Sequence, residues 1–305
     1  MTRAEIPRKL LFVLVLTSVF MLVEAVGGYL SGSLALIADA GHMLTDVGAL
    51  ALSLGSVWLA RRPATMRRTF GFLRLEILAA FINGAMLLVL VLWIIIEAVR
   101  RLRNPVPVEA DLFLVIAIIG LVVNLVGLRV LHGDHTGSLN VRGAYLHIMG
   151  DALGSVAAIS AALVIKFTGW LPADPIISIV LSLLILAGAW RLVRESVDIL
   201  LEAVPAHVDL VAVTRDILAV PGVASVHDLH VWTVTSGMVA MSGHVVVPEL
   251  ERHPVTLGLI QSTLKASGIA HTTIQLEVTG DCEGESCYPG LPEGAGRVDH
   301  HGHSH

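Results

Sequence analysis

The chain has 305 residues, 55% of them hydrophobic and 15% charged, with a mean hydropathy of +0.78, whereas a soluble protein carries about a quarter charged residues. A net charge of −5 and an isoelectric point near 6.3 argue against a nucleic-acid partner, which calls for a basic patch or stripe. Two cysteines, Cys282 and Cys287, are too few for a disulfide framework and leave the redox compartment open.

Apolar runs fill the first two thirds of the chain and ordinary soluble composition the last third, which predicts a membrane domain followed by a soluble one. A membrane-crossing helix needs roughly 20 mostly apolar residues, and six stretches qualify: 10–30, 34–60, 76–99, 112–131, 143–166 and 176–192. The first is too long for a secretion signal, is interrupted by Glu24 and lacks a small-x-small cleavage site, so it reads as a span. Lys and Arg concentrate on the side that holds Arg3, Arg8, Lys9, Arg61, Arg62, Arg67, Arg68, Arg129, Arg142 and Arg194, against Arg100, Arg101, Arg103 and Lys166 on the other. Positive charge marks the cytoplasmic side, so both termini are expected in the cytosol, with the Arg100–Arg103 cluster as an exception.

After Pro205 the pattern changes. Helical periodicity over 208–220, extended runs at 223–234 and 238–247, a second helix over 255–266 and a third strand over 272–278 give the order αββαβ. The expected fold is therefore a polytopic α-helical membrane protein with six transmembrane helices, followed by a small cytosolic α+β domain of ferredoxin-like order. The expected boundaries are 1–205 for the helical domain, 206–280 for the α+β domain and 281–305 for a disordered, histidine-containing tail.

The chemistry is concentrated in two intramembrane motifs. Span two carries His42-x-x-x-Asp46 and span five His147-x-x-x-Asp151. Residues four apart share a helix face, so each span can present one imidazole and one carboxylate inward. Two facing spans then supply two nitrogens and two oxygens, a donor set suited to tetrahedral Zn2+. Cd2+, Co2+, Mn2+ and Fe2+ stay open as alternatives. A charge at the bilayer centre costs about 2.5–3.5 kcal/mol on insertion scales, and a dication answers both aspartates. One such pair could be a structural hydrogen-bond couple; two at the same spacing argue for a shared ligand. For the pairs to meet, helix five has to start near Ser138, earlier than its apolar run. Gly41, Gly48, Gly150 and Gly154 are expected to let the two helices approach. Asp39 is a candidate for an access path or a water-facing helix end, and Asn83 and Asn124 for interhelical hydrogen bonds.

The string from Gly32 to Asp46, GSLALIADAGHMLTD, resembles the second span of the cation diffusion facilitator family in its ZnT-like branch. Gly71-Phe-Leu-Arg-Leu-Glu76 resembles the family's entry into span three and Leu201-Glu-Ala-Val-Pro205 its exit from span six. The resemblance covers residues 8–280 and implies a transport site of His42, Asp46, His147 and Asp151, proton antiport, and a homodimer formed through the cytosolic domain. It also implies a cytosolic metal site of His227, His244 and Glu277, with His271 and one of Cys282 or Cys287 as further candidates; the alternative for any one of the histidines is an ordinary polar strand residue, and a Cys-x4-Cys pair alone is weak evidence for metal. Strand alternation sets His230 on the face opposite His227. The tail from Asp299 to His305 is either a metal collector or a solvated end. No long histidine-rich loop joins spans four and five, which points to a bacterial inner membrane. A membrane metalloenzyme would keep a coordination position open for water, and a metal sensor has no need of ligands on two spans, so the expectation is a transporter and not an enzyme, with lipid, divalent metal ions and protons as its partners.

Overall fold

The computed structural model describes residues 5–60, 65–132 and 139–278. Cys282, Cys287 and the tail from 281 onward lie outside the described residues. Within them the chain divides into two compact units, one drawn from Met1–Arg62 and Leu78–Arg194, the other from Pro63–Ile77 and Glu195–His305.

The first unit is built from long helices: α1 (Glu5–Ser31), α2 (Leu34–Ala60), α3 (Leu75–Arg103), α4 (Ala110–Leu131), α5 (Leu139–Thr168) and α6 (Ala173–Leu200). Among the described residues α1, α3, α4, α5 and α6 are long and apolar enough to cross a membrane; in α2 the apolar stretch so described is Leu34–Thr45. The ends are set locally. Gly32 and Gly169, with φ of 72° and 68°, adopt the left-handed conformation that closes α1 and α5. Pro175 sits in the first turn of α6, where its missing N–H costs nothing. Large apolar side chains such as Leu22, Val89 and Leu92 stay exposed, as expected of helices whose outer surface meets hydrocarbon rather than water.

Inside the bundle small residues govern the approach of the helices. A Cβ on Gly27 would lie 1.9 Å from Ile116 Cδ1 and one on Gly120 would lie 2.8 Å from Phe20, so α1 and α4 pack closer than any larger residue allows. Gly41 plays the same part towards Leu90 of α3. The expectation that Gly41, Gly48, Gly150 and Gly154 bring α2 against α5 is therefore corrected. Gly150 has open space where its side chain would be, and Gly154 has only Leu181, at 3.8 Å. Asn124 of α4 donates to Ser155 Oγ of α5 at 3.3 Å, the interhelical bond expected of it.

A buried carboxylate closes one end of this unit. Asp174, in the first turn of α6 and fully buried, accepts from Ser33 Oγ at 2.6 Å, from Leu34 N at 2.9 Å and from Ala35 N at 3.2 Å. The last two are backbone amides at the start of α2, where a negative charge is favoured. The Arg101 guanidinium lies 3.9 Å from the same carboxylate, pairs with Glu97 at 3.1 Å and donates to the Gly32 carbonyl. Arg101 is thus held inward, with 15% of its side chain exposed.

The second unit holds α7 (Leu210–Leu218), β1 (Ser225–Thr235), β2 (Met238–Val246), α8 (His253–Ala266) and β3 (His271–Glu277). β1 and β2 are antiparallel around Gly237, whose φ is 76°, and β3 returns parallel to β2 through α8, giving the sheet order β1-β2-β3. Val213 and Ile217 of α7 and Ile260 and Leu264 of α8 cover one face of the sheet, packing on Val231, Met241 and Val245. The alternate residues His244 and Glu277 therefore project from the other face. The segment before α3 and its first turn join this unit: Glu76 accepts from Thr235 Oγ1 at 2.5 Å and from Ser236 Oγ at 2.8 Å, and Arg74 pairs with Glu202 at 2.6 Å.

Strand β1 is not regular. His227 pairs with His244 and His230 with Ser242, so Asp228 and Leu229 together oppose Gly243. This is a β-bulge, with Asp228 at φ 52°. A Cβ on Gly243 would lie 2.9 Å from Leu229 Cδ1, so glycine leaves the room the bulge needs.

Two outcomes follow from these packing arguments. Asp174→Ala removes the cap on α2 and leaves Arg101 short of a partner, and a loss on the order of 3 kcal/mol is expected; thermal unfolding of the purified protein in detergent with an unchanged midpoint would contradict it. Gly243→Val overpacks the bulge at a cost of about 1–3 kcal/mol, more than Gly243→Ala, and a midpoint that does not fall in that order would show that the bulge is not constrained there.

Candidate metal centres

Two groups of metal-ligating side chains come together, one in each unit. In the first, α2 carries His42 and α5 carries His147 and Asp151. The helix of span five does start at Leu139, ahead of its apolar run, which sets His147 two turns inside α5. The two imidazole rings meet edge to face with centroids 5.4 Å apart, and His147 Nε2 lies 3.6 Å from Asp151 Oδ2. One donor atom from each of His42, His147 and Asp151 falls within 4.8 Å of the others, a spread an ion with bonds of about 2.0–2.2 Å can draw together. Asp46 follows His42 by one turn of α2; its side chain lies outside those described.

These three residues line a cavity of about 450 Å³ between the helices, together with Asp39, Thr45 and Asn83. Its wall is otherwise apolar, from Leu87, Leu146 and Leu181 among others, and Gly150 and Gly154 widen it. Asp39 thus shares a chamber with the proposed ligands, and Asn83 lines it too. Thr45 donates its hydroxyl to the His42 carbonyl at 2.6 Å. Sequence reasoning noted Glu24 only as an interruption of span one. It is buried, with one carboxylate oxygen lacking a hydrogen-bond partner.

In the second unit His227, His244 and Glu277 converge on the open face of the sheet. His227 Nε2 lies 3.2 Å from Glu277 Oε2, His244 Nδ1 lies 2.9 Å from Glu277 Oε1, and the rings are 5.2 Å apart. His227 Nε2 and His244 Nδ1 are buried and make no hydrogen bond. Two such nitrogens aimed at one carboxylate are costly as they stand, and a metal ion satisfies all three groups at once, so the residues fit one. His271 does not join them. It sits at the opposite end of β3 from Glu277, paired with Ala240, and its exposed ring rests against Phe70 at 5.7 Å. His230 is a second correction. The bulge adds one residue to β1, which returns His230 to the same face as His227, and its Nε2 lies 3.0 Å from Asp228 Oδ1. Cys282 and Cys287 lie outside the described residues.

Comparison with known proteins agrees with both units. Residues 10–201 match the model of the cation efflux transmembrane domain, and residues 205–279 that of the cation efflux protein cytoplasmic domain. The zinc transporter ZitB of Escherichia coli is 48% identical over 299 residues, covering 97% of this chain and 94% of its own length. The metal cation efflux system protein CzcD of Cupriavidus metallidurans is 44% identical, covering 90% and 88%. A Bacillus subtilis protein named as a cadmium, cobalt and zinc/H(+)-K(+) antiporter is 42% identical, covering 96% of each chain. These are transporters, not enzymes. The helical bundle, the cytoplasmic α+β unit and the near full-length identity agree, and the chain is a multi-pass membrane protein of the cation efflux family, the cation diffusion facilitators.

Proposed function

We propose that the chain exports Zn2+ from the cytosol in exchange for protons, through a site made of His42, Asp46, His147 and Asp151. The observation that carries this reading is the convergence of His42, His147 and Asp151 on one cavity within an apolar helix bundle. The name of the Bacillus relative supports antiport, and the relatives' names support Zn2+, with Cd2+ and Co2+ as further cargo. Mn2+ and Fe2+, allowed by the donor set, are named by none of the three relatives. We take α1–α6 as six spans with both termini in the cytosol, the inner membrane of a bacterium as the location, and residues 1–205 and 206–280 as the two domains. Homodimerisation through the cytoplasmic domain and a regulatory metal at His227, His244 and Glu277 belong to the same proposal.

The mechanism rests on competition for the same lone pairs. An imidazole nitrogen binds a metal only when deprotonated, and a carboxylate binds it best as the anion, so protons and the dication exclude each other. On the cytosolic side the four side chains give up protons as the cation enters. On the far side protons return to the imidazoles and carboxylates and release it. His147, 42% exposed to the cavity, is the ligand best placed to exchange with water; Asp151, 9% exposed, anchors the α5 pair. Helix rocking that opens the cavity to alternate sides completes a cycle of the kind midplane sites support.

In proteoliposomes with an imposed pH gradient, Zn2+-driven proton flux is expected to fall at least tenfold in Asp46→Ala and in Asp151→Ala, because each removes a carboxylate that offsets the dication's charge. Acidifying the release side is expected to speed metal exit, since protons displace it. Wild-type flux in either variant would overturn the site, and Zn2+ uptake indifferent to the pH gradient would overturn the antiport.

A further inference from the structure

We propose that Asp228 is the positioning residue of the His227–His244–Glu277 centre, holding the His244 ring so that Nδ1 faces the metal; this rests on the reading of that cluster as a metal centre.

The argument starts from the two nitrogens of one ring. A neutral imidazole has one N–H donor and one lone pair. His244 Nδ1 is the buried, unbonded nitrogen 2.9 Å from Glu277 Oε1, so it is the atom that points at the ion. The proton must then sit on Nε2. The group facing Nε2 is Asp228, whose Oδ2 is 3.7 Å away, and a small turn of the carboxylate closes that gap to a hydrogen bond. The other oxygen, Oδ1, is held at 3.0 Å by His230 Nε2. A carboxylate behind a ligating imidazole selects its tautomer, fixes its ring plane and raises its basicity.

The backbone is shaped for this task. In a regular strand residue 228 would point to the helix-covered face, opposite His227. The bulge turns it back, at φ 52°, a conformation open to Asp, Asn and Gly but unfavourable to most other side chains. Gly243 leaves room for Leu229, the other residue of the bulge, whose Cδ1 a Cβ there would meet at 2.9 Å. Bulges recur where a strand must re-aim a side chain beside a functional site, and the side chain re-aimed here is a carboxylate with imidazoles on two sides.

The test uses the full chain in detergent, with His147→Ala and Asp151→Ala to silence the transmembrane centre and with 15N-labelled histidine. Zn2+ affinity is measured against a chromophoric chelator, the coordination sphere by the Co2+ ligand-field spectrum, and the His244 tautomer by ring 15N shifts assigned through a His244→Gln variant. Asp228→Gly keeps the backbone conformation and removes the carboxylate; Asp228→Asn keeps the shape and removes the charge. The glycine variant is expected to bind Zn2+ 10–100-fold more weakly, with the same stoichiometry and Co2+ spectrum, and its metal-free His244 is expected to lose the pure Nε2–H form. Asp228→Asn should fall between the two, and His230→Ala should cost less. Equal affinity and an unchanged tautomer in Asp228→Gly would overturn the inference while the centre stands. A Co2+ spectrum altered by the loss of a ligand would also overturn it, because Asp228 would then touch the metal itself. If the parent with the silenced transmembrane centre binds no metal, the cytoplasmic centre itself is wrong and the inference falls with it.

Discussion

A carboxylate sealed inside apolar helices must be answered by opposite charge or by hydrogen bonds, and the ways in which this bundle answers its carboxylates organise the rest of it. Asp174 is answered by fixed donors: the Ser33 hydroxyl, two backbone amides at the start of α2 and the nearby Arg101 leave it fully buried yet satisfied. That makes it the clamp between α6 and the helix that carries His42. Asp151 is answered differently. Its surroundings are His147 and a cavity, and on the proposed reading the charge that compensates it is the passing cation. On that reading identical side chains serve structure in one place and transport in another.

The same division explains the glycines. Where helices must touch permanently, as at Gly27 and Gly120, the missing side chain is filled by a neighbour. Around Gly150 it is filled by nothing, and the missing volume becomes part of the chamber. Small residues in a bundle therefore serve two opposite ends, close packing and open space, and only the neighbour decides which.

Much of this was readable in the residues, for reasons that are physical. The His-x-x-x-Asp pairs signal their geometry because four residues are close to one helical turn, and the need for α5 to start ahead of its apolar run followed from where His147 had to sit. The αββαβ order was visible because the strands alternate and the helices do not. What escaped was whatever depends on a single inserted residue or on a distant neighbour. One extra residue in β1 inverts the face of everything beyond it, so alternation misassigned His230 and gave no hint of Asp228. His271 shared a strand with Glu277 but not an end of it. The inward turn of Arg101 depends on Asp174, 73 positions later in the chain, and no local pattern reports that. Asp46 and the terminal cysteines lie beyond what the described side chains address.

The two centres also differ in a way that suits different tasks. The transmembrane ligands line a chamber, and His147 is 42% exposed within it. In the cytoplasmic unit the side chains of His227, His244 and Glu277 are each about 20% exposed, the two imidazoles aim buried nitrogens at one carboxylate, and Asp228 stands behind one of them. A site that moves cargo must release it at every cycle, and open access to protons and water favours release. A site that reports metal level has to hold its ion until the cytosolic concentration falls, which favours burial and an oriented second layer of ligands. The contrast in enclosure is therefore what one expects if, as proposed, the transmembrane site turns over and the cytoplasmic one is regulatory.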